Sequence, residues 1–259
     1  MATSLIGGLI QSDANPNSIR VADINVSACA ELNSRFGVLP SDIDEFSDCQ
    51  AVVIAVKPHI VKEVCGELSQ VAFSTQPVFI SVAAGVREAS MRQWLPEHSA
   101  IVRCMPNTPA LLGLGSTGLV ANSHCSDHQK ALAQQLLEAA GITVWVEREE
   151  QLDAVTAVSG SGPAYFFYLI EHMIEAGVKL GLDHTTASTL AIETAFGAAS
   201  MARARNEEPA VLRENVTSKG GTTAAALNTF DAANTAQTIE QAMTAAYERA
   251  ITMGDEFGV

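Results

Sequence analysis

AVVIAVKPHI, residues 51–60, opens with an unbroken apolar run of strand length and ends abruptly at Lys57-Pro58. A run with no alternation suits a strand buried on both faces, the habit of parallel sheets covered by helices. The same pattern recurs in VFISVAA (78–84), AIVRCM (100–105) and ITVWVE (142–147), with weaker strand-like stretches at SIRVAD (18–23) and STGLVA (116–121). Helical stretches are predicted between them at about 26–36, 59–70, 86–95 and 126–140. The first half is therefore read as an α/β domain with a doubly wound parallel sheet.

After residue 150 the strands stop. Residues 151–257 read as Ala-rich amphipathic helices broken by SGSGP (159–163), Gly181, Pro209 and SKGG (218–221). The expected organisation is a sheet domain over 1–149 and an all-α domain over 150–259. Helices rich in small and apolar residues with no sheet of their own commonly pair with a second copy, so an obligate dimer is expected.

Composition narrows the partners. With 29 acidic against 15 basic residues the formal charge is −14, which disfavours nucleic acid and anionic membranes and leaves a small molecule as the expected partner. No apolar run approaches the ~20 residues of a membrane helix. Five scattered cysteines without a CxxC, and six dispersed histidines without HExxH, suit reduced thiols, a cytoplasmic location and no metal site.

An α/β domain of this kind suggests a nucleotide, and one GxGxxG is present at Gly113 to Gly118. It follows a Pro-containing loop and runs into a strand, so no helix N-terminus would face a pyrophosphate; these glycines are read as loop flexibility. In MATSLIGGLI (1–10), Leu5, Ile6, Leu9 and Ile10 form a helical stripe, as expected of the first helix of a βαβ unit whose first strand and Gly-rich turn are missing. RVAD then becomes the second strand, with Asp23 where an acid bonds an adenosine ribose.

Five blocks in order, MATSLIGGLI, AVKPHI (55–60), SVAAGV (81–86) with RCMPNTPA (103–110), SGSGPAY (159–165) and ENVTSKGGTT (214–223), resemble the pyrroline-5-carboxylate reductases almost end to end. The resemblance implies a Rossmann-like domain followed by a helical dimerisation domain. It also implies reduction of the cyclic imine 1-pyrroline-5-carboxylate to proline, with a homodimer and a decamer of dimers above it. NADPH is the cofactor the family favours; NADH is the alternative, because Asp23 suits a free 2′-hydroxyl. Carried over residue by residue, the cofactor contacts are Asp23, Ala55, Val56, Lys57, Pro58, Ala83, Met105, Pro106, Asn107, Thr108, Ser161 and Pro163. The substrate contacts are Glu149, Asn215, Ser218, Gly220, Gly221, Thr222 and Thr223, with Thr223 catalytic.

The chemistry of SKGGTT agrees. Gly220 and Gly221 let backbone N–H groups approach an anion, a helix starting near Thr222 adds its positive end, and the Thr223 hydroxyl suits an imine nitrogen. Lys219 stands where the family usually has Pro. Two rival readings remain at this point: a related imine or β-hydroxyacid reductase, and a non-catalytic dimeric scaffold. The β-hydroxyacid enzymes would be expected to carry a Lys on the helix after the domain junction, and here none precedes Lys179.

Overall fold

The computed structural model describes residues 1–205 and 207–257, which fall into two units, Met1–Ser161 with Ala246–Val259, and Gly162–Ala245. The first unit begins with α1 (Ala2–Gln11), β1 (Arg20–Val21), α2 (Val26–Phe36) and β2 (Leu39–Pro40). β3 (Ala51–Ile54), α3 (Val61–Leu68), β4 (Val78–Ser81), α4 (Glu88–Trp94) and β5 (Ala100–Met105) follow. β6 (Gly115–Ala121), α5 (Asp127–Glu138), β7 (Gly141–Trp145) and the short α6 (Gln151–Val155) complete it, before a π-helical turn at Thr156–Gly160. α2 stops at Gly37, whose φ of 74° is left-handed, and Ser126 and Gln129 form a reciprocal capping box that starts α5.

Five strands form one sheet in the order β3-β4-β5-β6-β7, while β1 and β2 pair with each other in parallel. Val52 faces Phe79, and Ile80 faces Val102 across the central ladders. The central runs, in β4 and β5, are buried on both faces as expected, but β3 and β7 are the outer strands of this sheet and leave Val53, Ile142 and Val144 exposed. Val78, Ile80 and Val102 pack on one side with Leu5 of α1 and Ala133 and Leu137 of α5; Phe79 and Ile101 pack on the other with Val61, Leu68 and Met91. Helix α1 thus joins this cluster through Leu5, packing on α2, α5 and the helical turn at Thr108–Leu112.

Three further sequence expectations need amendment. The sheet is not wholly parallel: β6 runs antiparallel to β5, with Cys104 opposite Leu119. The SIRVAD strand is only two residues long. Gly115 and Gly118 are not loop glycines, since both lie in β6. A Cβ at Gly115 would sit 2.6 Å from the Ala140 carbonyl oxygen, and one at Gly118 would sit 2.7 Å from a Val155 methyl, so glycine is required by packing. Only Gly113, at φ 69°, serves a turn.

The second unit holds α7 (Gly162–Lys179), α8 (His184–Ala204), α9 (Pro209–Asn215) and α10 (Thr222–Ala232). α11 (Thr235–Phe257) starts in this unit and finishes in the first. Asp183 caps α8 by accepting the Thr186 N–H at 3.0 Å. Within this unit α7 and α8 pack closely at Gly177, where a Cβ would lie 3.1 Å from that of Ala187. Phe166, Phe167, Tyr168, Leu180 and Phe196 stay exposed. The sequence reading puts a boundary between 149 and 150; the chain instead divides after Ser161, and its last helix returns to the first unit.

Candidate functional site

The C-terminal ends of β3, β4 and β5 lie side by side, because these three strands are parallel neighbours. This edge is where open α/β sheets take ligands. β3 delivers Ala55, Val56 and Lys57, and Pro58 starts a single helical turn behind them. β4 delivers Ala83, which is buried and donates its N–H to Ser81 Oγ at 3.3 Å. Gly85 follows at φ 77°, so close to α11 that a Cβ would stand 3.0 Å from the Phe257 ring. β5 ends at Met105, then Pro106, Asn107 and Thr108.

Asn107 shapes this loop. Its buried side chain donates to the Ser159 carbonyl at 3.0 Å and accepts the Ser116 N–H at 2.9 Å, tying the β5 loop to the π-helical turn and to β6. That turn lies against Met105, with a Cβ at Gly160 meeting its Cε at 2.6 Å. Ser161 closes the turn through its N–H to the Thr156 carbonyl, 2.8 Å. Pro163 lies in the second unit, in the first turn of α7. Asp23 lies two residues beyond β1, exposed, its Oδ1 accepting the Asn25 N–H at 2.8 Å.

The residues of the first unit fit a phosphate-bearing dinucleotide at one further point. Ser4, in the first turn of α1, has a buried hydroxyl with no hydrogen-bond partner among the described residues, and no side chain caps that helix at Met1. Uncapped N–H groups beside an orphaned hydroxyl suit a phosphate oxygen.

Sequence reasoning missed Arg103. It is buried at the centre of β5, and its Nη1 donates to Glu149 Oε1 at 2.5 Å. The same oxygen accepts the Glu88 N–H at 2.6 Å, so Glu149 is held between a buried guanidinium and the start of α4. Nearby, Arg87 pairs with buried Asp153 at 2.9 Å. These two pairs anchor the segment from 149 to 153 that leads into the π-helical turn. A small crevice of about 20 Å³ opens beside them, lined by Ala83, Gly85, Arg103, Met105, Asp153 and Met253 among others. Cys104 borders it, but burial pushes its thiol up to about 12, which leaves it protonated and unreactive at neutral pH.

In the second unit SKGG folds as a tight turn. The Gly221 N–H donates to the Ser218 carbonyl at 3.0 Å, and Gly220 takes φ 73°. Gly221 is the N-cap of α10 and offers no side chain, so the N–H groups of Thr222 and Thr223 face outward uncapped. Thr223 is half-buried, and its hydroxyl has no hydrogen-bond partner among the described residues. Asn215, the last residue of α9, donates its amide to Glu207 at 3.2 Å. Glu207 carried no signal in the sequence beyond its place in a charged loop. No cluster of potential metal ligands occurs among the described residues, and no helix there is long and apolar enough to cross a membrane.

Comparison with known proteins shows the family and the fold. Residues 149–253 match the pyrroline-5-carboxylate reductase dimerisation family, and residues 1–85 match the family described as NADP oxidoreductase, coenzyme F420-dependent. The chain is 45% identical to the pyrroline-5-carboxylate reductase of Pseudomonas aeruginosa over 100% of its length and 95% of the relative's. It is 44% identical to that of Haemophilus influenzae over 98% of this chain and 94% of the relative. Among solved structures, a pyrroline-5-carboxylate reductase from Coxiella burnetii superposes with TM-score 0.94 at 38% identity, covering 100% of this chain and 95% of that one. The Plasmodium falciparum pyrroline carboxylate reductase with NADP bound gives TM-score 0.83 at 27% identity, over 97% and 94%.

Proposed function

The chain belongs to the pyrroline-5-carboxylate reductase family, and from that premise we propose how its own residues carry the reaction. It is an NAD(P)H-dependent oxidoreductase of proline biosynthesis, acting on the C=N bond of 1-pyrroline-5-carboxylate. Bound reduced nicotinamide would supply the hydride to the imine carbon, and water would supply the proton that the nitrogen takes up. Residues 1–149 supply most of the dinucleotide contacts, and 150–259 supply most of the substrate contacts and the self-association surface. Asp23 holds the adenosine ribose; Ala55, Val56, Lys57, Pro58 and Ala83 line the cofactor edge with Met105, Pro106, Asn107 and Thr108. Ser161 and Pro163 position the nicotinamide.

The substrate carboxylate is held by the turn Ser218–Gly221 and the start of α10, where Gly220, Gly221 and Thr222 let N–H groups approach an anion that the helix dipole favours. Thr223 donates its hydroxyl proton in a hydrogen bond to the imine nitrogen, a bond that strengthens as that nitrogen gains electron density. Asn215, steadied by Glu207, lines the same region. Glu149 contributes an ionised carboxylate on the substrate side while remaining the partner of Arg103. The protein works as a homodimer, assembled further into a decamer of dimers, in the cytoplasm.

The observation that carries this reading is the partnerless Thr223 hydroxyl at the open N-terminus of α10. Thr223→Ala is expected to lower kcat/KM for the imine ten- to a hundredfold, about 1.5–3 kcal/mol, with dinucleotide affinity unchanged in a fluorescence titration. Unaltered turnover would refute the role.

A further inference from the structure

We propose that Asp23 makes this enzyme selective for NADH over NADPH, so that it departs from its NADP-binding structural relative; the inference rests on the dinucleotide reading above. The two cofactors differ only at the adenosine ribose, where NADPH carries a 2′-phosphate dianion in place of a hydroxyl. Asp23 sits at the turn between β1 and α2 and is exposed. Its Oδ1 already accepts the Asn25 N–H at 2.8 Å, which fixes the carboxylate beside the first turn of α2. The Cys29 thiol on that helix is pushed up by burial first and by the Asp23 charge second.

An anion at that spot is therefore already supplied by the chain. A ribose 2′-hydroxyl can donate to Asp23 Oδ2; a 2′-phosphate would face a fixed negative charge instead. Along the chain around it, residues 21–34 include no Lys, Arg or His. The two flanking arginines are committed elsewhere: Arg20 pairs with Asp48 and donates to the Glu45 carbonyl, and Arg35 lies over the Phe36 ring at the far end of α2. The α2 N-terminus also lacks a side-chain cap, so Asp23 supplies the charge that completes it. Ile24, 96% exposed, and exposed Val26 flank the acid and offer aliphatic faces to the adenine.

The test is isothermal titration of the purified full chain with NADH, NADPH, ADP-ribose and 2′-phospho-ADP-ribose, at low and high salt. NADH and ADP-ribose are expected to bind at least tenfold more tightly than their phosphorylated counterparts, with the gap narrowing as salt rises. Asp23→Ser should bring the ratio within about threefold. The pair Asp23→Ser with Ile24→Arg should favour the phosphorylated ligands, since Ile24 has no packing to lose. Equal affinities in the wild-type chain, or a ratio unmoved by Asp23→Ser, would overturn the selectivity while leaving the dinucleotide site standing. Failure of all four ligands to bind would overturn both.

Discussion

The two units use apolar residues in opposite ways. In the first, Val78, Ile80, Met91, Ile101 and Leu119 are all under 2% exposed, so the sheet and its helices complete a core within one chain. In the second, Ala187 and Ala191 are buried, whereas large side chains such as Phe167 at 65% and Phe196 at 64% face outward. A surface so rich in aromatics, on a segment matching a dimerisation family, supports the proposal that this face is half of an interface. The lesson is that hydrophobicity alone does not say where a core lies; it shows only that something must cover the residue.

The sharpest way to break this contrast is to put charges on the outward face of the second unit. Phe167→Asp with Phe196→Asp should dissociate the oligomer in sedimentation velocity and cost more than a hundredfold in turnover, while circular dichroism of the sheet domain persists. An oligomer that survives both charges would show that the exposed aromatics are not at the interface. The converse substitution, Leu119→Ala in the first unit, should lower stability by about 2–5 kcal/mol in urea unfolding and leave the oligomeric state of the folded protein unchanged. A smaller effect falls on the SKGG turn. Lys219 occupies its second position, ahead of Gly220 at positive φ, which is where proline is preorganised. Lys219→Pro should therefore add about 0.4–1 kcal/mol of stability by thermal melt, chiefly by restricting the unfolded chain. A loss of stability would show that Lys219 does not occupy such a turn.

The central strands of the first unit could be read from the sequence because burial on both faces leaves a local mark, the unbroken apolar run; β3 and β7 carry the same mark with one face exposed. Direction leaves no such mark, so β6 was expected to be parallel. The error over Gly115 and Gly118 has the same origin: their neighbours are Ala140 and Val155, far along the chain, and a glycine motif cannot show what approaches it. Arg103 was hidden inside AIVRCM because its partner Glu149 lies 46 residues away. The residues that follow β3, β4 and β5 could be placed because the apolar runs stop there. The turn at Ser218–Gly221 could be placed because two adjacent glycines before a threonine pair announce a helix start. Glu207 and the return of α11 to the first unit had no local signature.

That return has a practical meaning for anyone dissecting the enzyme. The sheet unit is discontinuous in sequence, since Ala246–Phe257 contributes Phe257 to the core cluster and Gly254 to the seat of Arg87, where a Cβ would meet the guanidinium at 2.6 Å. A fragment stopped at residue 161 would uncover that cluster and leave Arg87 without one wall. The minimal sheet protein has to be spliced rather than shortened, joining residue 161 to residue 246 through a short linker and omitting everything between.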